Sequence, residues 1–286
     1  MRDLGTILTA IVTPFDDRLA VDEDAFVALM HHLAANGSDG FVVCGTTGEA
    51  STLSDDEHIG LVELAVRERP AGATIVAGTG SNDTRHAVEL TQRANAAGVD
   101  AVLSVTPYYN RPNRRGIIAH YEAVAAATEV PIVLYNIPQR TGTDMPNDLL
   151  AELAQIDHVD YVKQSNEANF GSVPGLRIYA GNDDLFGPAL DIGEAGAISV
   201  TSHVIGPQMR RMVDEPESRA ELHELLLDVY HTLFMTASPT CTKAALELLG
   251  HRVGGLRLPM VVADETEREA VRAMLDRHHL LGHVTA

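Results

Sequence analysis

Short apolar runs recur about every 20 to 35 residues along the chain, separated by segments with apolar positions at helical spacing. The runs are Ile7–Thr13, Gly40–Cys44, Thr74–Ala77, Ala101–Val105, Ile132–Tyr135, Tyr161–Gln164, Arg177–Ala180 and Ala197–Val200. Several, such as Phe41-Val42-Val43-Cys44, have no polar alternation, as expected of strands covered on both faces. Strand and helix in regular succession predict a parallel sheet in an α/β fold. Eight such units predict a (β/α)8 TIM barrel, with a doubly wound sheet as the second possibility. Ser54-Asp55-Asp56-Glu57 has the form of a capping box, and Ser81-Asn82-Asp83 offers N-caps for the next helix. After the eighth run the alternation stops. Segments from about Glu217 to Met235, Pro239 to Leu249 and Thr266 to Leu281 keep helical periodicity with no strand between them. The barrel is therefore expected over residues 1–215, with a C-terminal helical extension, residues 216–286, packed on it.

Composition narrows the function classes. A chain of 286 residues with 45% hydrophobic positions can bury a large core. The formal charge of −19 argues against nucleic acid, which requires clustered cations, and suits a soluble protein or a salt-rich cytoplasm. No apolar run is long enough to span a membrane, and the start Met1-Arg2-Asp3-Leu4-Gly5 does not read as a secretory signal. Cys44 and Cys241 are too few for a disulfide framework, which favours a reducing, cytoplasmic setting. Among the 21 basic residues only Lys163 and Lys243 are lysines. A lysine kept at the end of an apolar strand in so lysine-poor a chain calls for a specific reason.

Barrel enzymes work at the carboxyl ends of their strands. There this chain places Gly45-Thr46-Thr47-Gly48-Glu49, Gly78-Thr79-Gly80, Thr106-Pro107-Tyr108-Tyr109-Asn110, Tyr135-Asn136-Ile137-Pro138, Lys163, Gly181-Asn182-Asp183-Asp184 and Ser199-Val200-Thr201. Alternation puts Lys163 on the same strand face as Tyr161, pointing into the barrel. Poor solvation there disfavours the ammonium form, and a neutral amine attacks a ketone to give an imine. The alternative is an ammonium that reaches water or pairs with a carboxylate. Thr46 and Thr47 suit a small carboxylate better than a nucleotide, because the lysine of a P-loop is missing. Tyr108, Tyr109 and Tyr135 are candidate proton carriers or packing residues. Arg140 could hold a carboxylate through two bonds. No metal site is expected: His223-Glu224 begins like a zincin motif, but Leu227 stands where the second histidine would ligate. The turn Thr201-Ser202-His203 lacks the glycine of a phosphate-binding barrel isomerase.

Together, Gly45–Glu49, Thr106–Asn110, Tyr135–Pro138, Arg140-Thr141-Gly142 and Lys163 resemble the dihydrodipicolinate synthase / N-acetylneuraminate lyase family. The likeness runs from Thr9–Phe15 to Leu256–Met260. The resemblance implies a pyruvate imine on Lys163 with Tyr135 as general acid/base and no cofactor. It implies a hydroxyl relay through Thr46 to Tyr109, the latter supplied across a dimer interface, in a dimer commonly doubled to a tetramer. Thr47, the backbone near Ile198 and Gly181 would form the pyruvate pocket. Thr46, Thr47 and Arg140 together match the members that condense pyruvate with aspartate semialdehyde in diaminopimelate and lysine biosynthesis. A pyruvate-dependent aldolase of a 2-keto sugar acid is the alternative, and a keto-acid-binding barrel without turnover is a more distant one. Two positions depart from the family pattern. Gln164 follows the lysine where an acidic residue is common. His86 and Asp55 stand where feedback-inhibited members carry the glutamate and histidine that bind lysine, although His58 and Tyr108 remain. Weak or absent lysine inhibition is expected.

Overall fold

The computed structural model describes residues 2–281. Met1, the first residue of the start read above, and residues 282–286, the end of the expected extension, lie outside the described residues. Eight parallel strands close into a barrel in sequence order. They are β1 (Ile7–Ala10), β2 (Gly40–Val43), β3 (Thr74–Gly78), β4 (Ala101–Val105), β5 (Ile132–Asn136), β6 (Val159–Gln164), β7 (Arg177–Ala180) and β8 (Gly196–Ser199). β1 pairs with both β2 and β8, with Leu8 opposite Gly40 on one side and Ile198 on the other. This closure excludes the doubly wound sheet, whose edge strands would each have one neighbour. Closure also requires a glycine at 196, where φ is +135° and an added Cβ would lie 2.0 Å from the Thr6 carbonyl oxygen.

Helices α1 (Glu23–Ala35), α2 (Asp55–Arg67), α3 (Thr84–Ala97), α4 (Arg114–Ala125), α5 (Pro138–Thr141), α6 (Asn147–Leu153), α7 (Phe186–Asp191) and α8 (Ser202–Asp214) follow or lie between the strands. The Ser54–Glu57 capping box opens α2, and Asp83 caps α3, as the local sequence requires. Strand residues alternate between two cores. Leu8, Val42, Val76, Leu103, Val133, Tyr161, Tyr179 and Ile198 fill the barrel, while Phe41, Val43, Ile75, Val102, Leu134 and Val162 pack outward under the helices.

The run beyond the barrel forms α9 (Arg219–Leu233), α10 (Thr240–Leu248) and α11 (Glu265–Arg277). Leu226, Val229, Leu233, Cys241, Ala245, Met274 and Leu275 join Ile7, Phe186, Ala197, Met209 and Met212 in one buried cluster. Each such aliphatic side chain contributes about 1.5–3 kcal/mol on full burial. The last three helices therefore share a core with the barrel wall. Among the described residues no helix is long and apolar enough to cross a membrane.

Candidate active site

The carboxyl ends of the strands open onto two adjoining cavities. The smaller, about 170 Å³, is lined by Lys163, Tyr135, Thr46, Thr47, Arg140 and Gly181. The larger, about 460 Å³, shares Thr46, Tyr135 and Arg140 and continues to Asp55, His58, His86 and Tyr108. Five separate segments, scattered over the sequence, thus deliver the expected pocket residues to one place. Ile198 and Tyr109 are the exceptions. The Ile198 side chain is fully buried inside the barrel, and Val200, two residues on, lines the small cavity instead. Tyr109 is 88% exposed, has a φ of +72° and lines neither cavity of its own chain.

The register of β6 sets Lys163 between Tyr135 on β5 and Tyr179 on β7. Its side chain is buried, with Nζ 4.5 Å from the centroid of the Tyr135 ring. Among the described residues no carboxylate lies within ion-pair distance of Nζ and no hydrogen bond holds it. Neither half of the alternative reading, escape to water or pairing with an acid, describes this side chain. Gly181 borders it closely: a Cβ there would lie 2.1 Å from Ser165 Oγ and 3.1 Å from Lys163 Cγ. A side chain at 181 would clash first with Ser165 Oγ and would crowd the lysine's own chain.

The other lysine is a control within the same protein. Lys243, on α10, sits 2.7 Å from Glu49 Oε1 and donates to the Gly255 carbonyl at 2.7 Å. Both side chains of the pair are at most 2% exposed. Sequence reasoning attached no role to Glu49 or Lys243. The scarcity of lysine was a signal that applied to Lys243 as much as to Lys163.

Glu49 ends the turn that carries the two threonines. The turn closes through Glu49 N–H to the Thr46 carbonyl at 3.1 Å, and the Thr13 hydroxyl donates to the Gly48 carbonyl at 2.7 Å. Cys44 and Glu49, at the turn's two ends, have φ values of +55° and +54°. Left-handed backbone at such residues costs on the order of 1–3 kcal/mol each and persists only where the surroundings enforce it. Thr47 is buried within the turn and Thr46 is exposed to the cavity. The hydroxyls of Tyr135, Thr46 and Tyr109 are not hydrogen-bonded to one another within the chain, so the expected relay is not assembled in a single protomer.

Arg140 lies on the single-turn helix α5, which Gly142 closes with a φ of +71°. It is exposed at the cavity mouth and, among the described residues, pairs with no carboxylate. Beneath it, Gln164 Oε1 accepts from the Asn136 side chain at 3.0 Å and from Asn166 N–H at 2.9 Å. Asn136 also donates to Asp144 at 2.8 Å. Burial opposes charge on Asp144, yet amide donors from Asn136, Asn166 and Asn169 hold its carboxyl below the usual carboxylate range. A glutamate at 164 would bring a second negative charge to the donor that Asp144 uses, whereas the amide avoids that charge and leaves Gln164 Nε2 buried without a hydrogen-bond partner.

The start of α8 is where barrel enzymes often bind phosphate. Here its amides are already used: Val200 N–H and Thr201 N–H donate to Asp183 at 2.9 and 2.7 Å. Burial pushes the Asp183 carboxyl up, against the opposing pull of those amides, the Thr201 side chain and the Lys163 charge. In the larger cavity His86 Nε2 lies 3.0 Å from Asp55 Oδ1 and its Nδ1 lies 3.2 Å from Ser81 Oγ. His58 Nε2 contacts the Gly78 carbonyl at 2.7 Å, and burial lowers its pKa.

Comparison with known proteins gives the same reading. The chain matches the Dihydrodipicolinate synthetase family over residues 3–278. It is 41% identical to the 4-hydroxy-tetrahydrodipicolinate synthase of Heliobacterium modesticaldum, covering 97% of each chain. Its fold is similar to that of a dihydrodipicolinate synthase from Acinetobacter baumannii complexed with pyruvate, with a TM-score of 0.92 and 34% identity over 98% of this chain and 100% of the other. A lysine-bound enzyme of this kind from Cyanidioschyzon merolae has a TM-score of 0.93 and 36% identity over 98% and 100% of the two chains. A buried, unpaired lysine, a tyrosine beneath it, a two-threonine turn and a match along nearly the whole chain lead to one conclusion: the chain belongs to the dihydrodipicolinate synthetase family.

Proposed function

We infer that this protein is a Schiff-base-forming lyase that condenses pyruvate with L-aspartate 4-semialdehyde to 4-hydroxy-tetrahydrodipicolinate, a step of diaminopimelate and lysine biosynthesis. The observation that carries the reading is the Lys163 amine, buried and without a protein partner, at the floor of a cavity bordered by Tyr135 and the threonine turn. Lys163 Nζ attacks the keto carbon of pyruvate, water leaves, and the imine forms. Loss of a methyl proton gives the enamine, with the iminium as electron sink. The enamine carbon attacks the aldehyde of the second substrate, and the new alkoxide takes up a proton. The substrate's own amine then adds to the imine carbon, expels Lys163 and closes the ring. Tyr135 exchanges the protons at the imine, passing them through Thr46. Thr47 and the backbone near Ile198 hold the pyruvate carboxylate, with Gly181 keeping the space beside Lys163 open. Arg140, unpaired at the mouth, takes the carboxylate of the semialdehyde.

Tyr109 completes the relay of a neighbouring protomer, which accounts for a tyrosine held in left-handed backbone and exposed in the single chain. The working unit is thus a dimer, doubled to a tetramer. Two free, buried cysteines suit a cytoplasmic enzyme. Borohydride reduction with pyruvate, followed by peptide mapping, tests the central step. Label on Lys163 supports it, whereas label on Lys243 or none overturns it. Turnover of aspartate semialdehyde against retro-aldol release of pyruvate from 2-keto sugar acids tests the second substrate.

A further inference from the structure

We propose that the buried Glu49–Lys243 pair is a positioning device that fixes the Thr46–Thr47 turn from the C-terminal helices. The inference rests on the function proposed above and adds residues to its machinery. The turn's backbone is bonded locally, by the closing bond at Glu49, by Ala50 N–H to the Gly45 carbonyl at 3.3 Å, by the Thr52 N–H and hydroxyl to the Glu49 carbonyl at 2.9 and 3.0 Å and by the Thr13 hydroxyl to Gly48, but none of these bonds reaches the Glu49 side chain. Its last residue adopts left-handed backbone without being glycine, so an external grip is needed. That grip acts on the Glu49 carboxylate. Lys243 holds Oε1 at 2.7 Å, and Arg257 N–H donates to Oε2 at 3.0 Å. Lys243 is itself fixed by the Gly255 carbonyl at 2.7 Å and lies 4.3 Å from the centroid of the Phe15 ring. The Arg257 side chain extends the brace to the helix that follows the turn, donating to the Thr52 carbonyl at 2.9 Å and pairing with Glu57, the capping-box residue of α2, at 2.6 Å.

The brace therefore grips the turn and the start of α2 together, and both residues of the central pair are out of reach of solvent. Neither Glu49 nor Lys243 lines either of the two cavities at the strand ends. Their effect passes through the positions of the Thr46 hydroxyl and the Thr47 amide. A displacement of about 1 Å in such groups can cost about 100-fold in rate.

The test separates positioning from folding. Lys243→Met alone strands a buried carboxylate and will destabilise the protein. The double variant Glu49→Gln, Lys243→Met removes both charges, and Glu49→Gln alone keeps an acceptor for Arg257 N–H. Thermal midpoint, kcat, the KM for pyruvate and hydrogen exchange of the 45–53 peptide are measured for all three and for the wild type. The expected result is that the double variant regains most of the midpoint lost in Lys243→Met while kcat stays at least about 10-fold down and the KM for pyruvate rises. Exchange at residues 45–53 accelerates with the barrel strands unchanged. Glu49→Gln is expected to show a smaller loss in the same direction. If kcat recovers together with the midpoint, the pair only stabilises the fold and the proposal fails. Should the double variant not fold, wild-type kinetics and exchange in Glu49→Gln would overturn it equally. Hydrogen exchange needs no substrate, and a wild type that pyruvate and borohydride leave unlabelled would refute the proposed function instead.

Discussion

Replacing Tyr135 with phenylalanine separates the chemistry from the scaffold. The ring is 7% exposed, packs inside the barrel with Leu103 and Val133, and lies under Lys163. Phenylalanine keeps that volume and that face. The hydroxyl has no hydrogen-bond partner within the chain among the described residues, so its loss removes no intrachain bond. A typical net hydrogen bond is worth about 0.5–1.5 kcal/mol, and the stability change should fall at or below the low end of that range. The kinetic effect is expected to be far larger. A positioned general acid/base supplies about 10² to 10⁴ in rate, equivalent to about 2.7–5.5 kcal/mol of barrel-independent transition-state stabilisation. Thermal denaturation and steady-state condensation kinetics measure the two quantities on one preparation. Borohydride trapping with pyruvate should still label Lys163, because the nucleophile is intact, at a slower rate. A variant whose kcat stays within about threefold of wild type at an unchanged midpoint would refute the role of Tyr135.

Three further outcomes are expected. Arg140→Ala should lower kcat/KM for the semialdehyde by about 10- to 150-fold, the worth of about 1.5–3 kcal/mol for hydrogen bonds to a charged group, with little change in the KM for pyruvate; equal losses for both substrates in steady-state kinetics would contradict its assignment. Titration with L-lysine at millimolar concentration should leave activity nearly unchanged, because Asp55 and His86 replace the histidine and glutamate expected of a lysine-binding member and are engaged with each other at 3.0 Å; strong inhibition would contradict this. Acid should destabilise the fold between about pH 6.5 and about 4, because burial holds His120 and His203 down to about 4 while the unfolded chain binds their protons near 6.5. The unfolded state binds more protons in that window, so stability falls as pH falls, by up to about 1.4 kcal/mol per pH unit for each histidine. Denaturant unfolding at several pH values measures the slope, and His203→Gln should reduce it.

The geometry of His203 shows why the apolar run around β1 outlasts the strand. The apolar run Ile7–Thr13 is buried to its end, but only Ile7–Ala10 is strand. Ile11 N–H makes the last bond to β2, to the Val42 carbonyl at 3.2 Å; beyond it the chain leaves the ladder, and Val12 N–H donates to His203 Nε2 at 3.2 Å while His203 Nδ1 serves the Val200 carbonyl at 2.7 Å. Burial without pairing looks like a strand in sequence. The opposite mismatch occurs at β6, which begins at Val159, two residues before the apolar run: the register with β5 shifts between Ile132 and Val133, leaving polar Asp160 unpaired in an irregularity that the strand spans. The other strands were legible to within a residue or so, since coverage on both faces leaves an unbroken apolar signature. The pocket residues were legible for a related reason: once the strands are placed, their carboxyl ends are fixed by topology. Pairings between segments distant in sequence, such as Glu49 with Lys243 or Asp183 with the amides of Val200 and Thr201, carry no local pattern and follow only from the closed barrel.

Scarcity alone would mark both lysines equally; their surroundings separate them. Each amine lies over an aromatic ring, Lys163 at 4.5 Å from the Tyr135 centroid and Lys243 at 4.3 Å from that of Phe15. Imine formation at Lys243 would break its ion pair with Glu49 and its bond to the Gly255 carbonyl, leaving a carboxylate buried and uncompensated. Such stranded charges cost about 3–5 kcal/mol. At Lys163 the same step breaks no protein bond, and the carbon that must be attacked has a cavity to occupy. One lysine is thus spent on holding a turn and the other is left available for covalent chemistry. Asp183 takes two backbone amides at the start of α8 on Oδ2 alone, its Oδ1 is buried without a hydrogen-bond partner, and it forms no ion pair with Lys163. What distinguishes the Lys163 amine is thus an absence of acidic partners within ion-pair distance together with a cavity beside it.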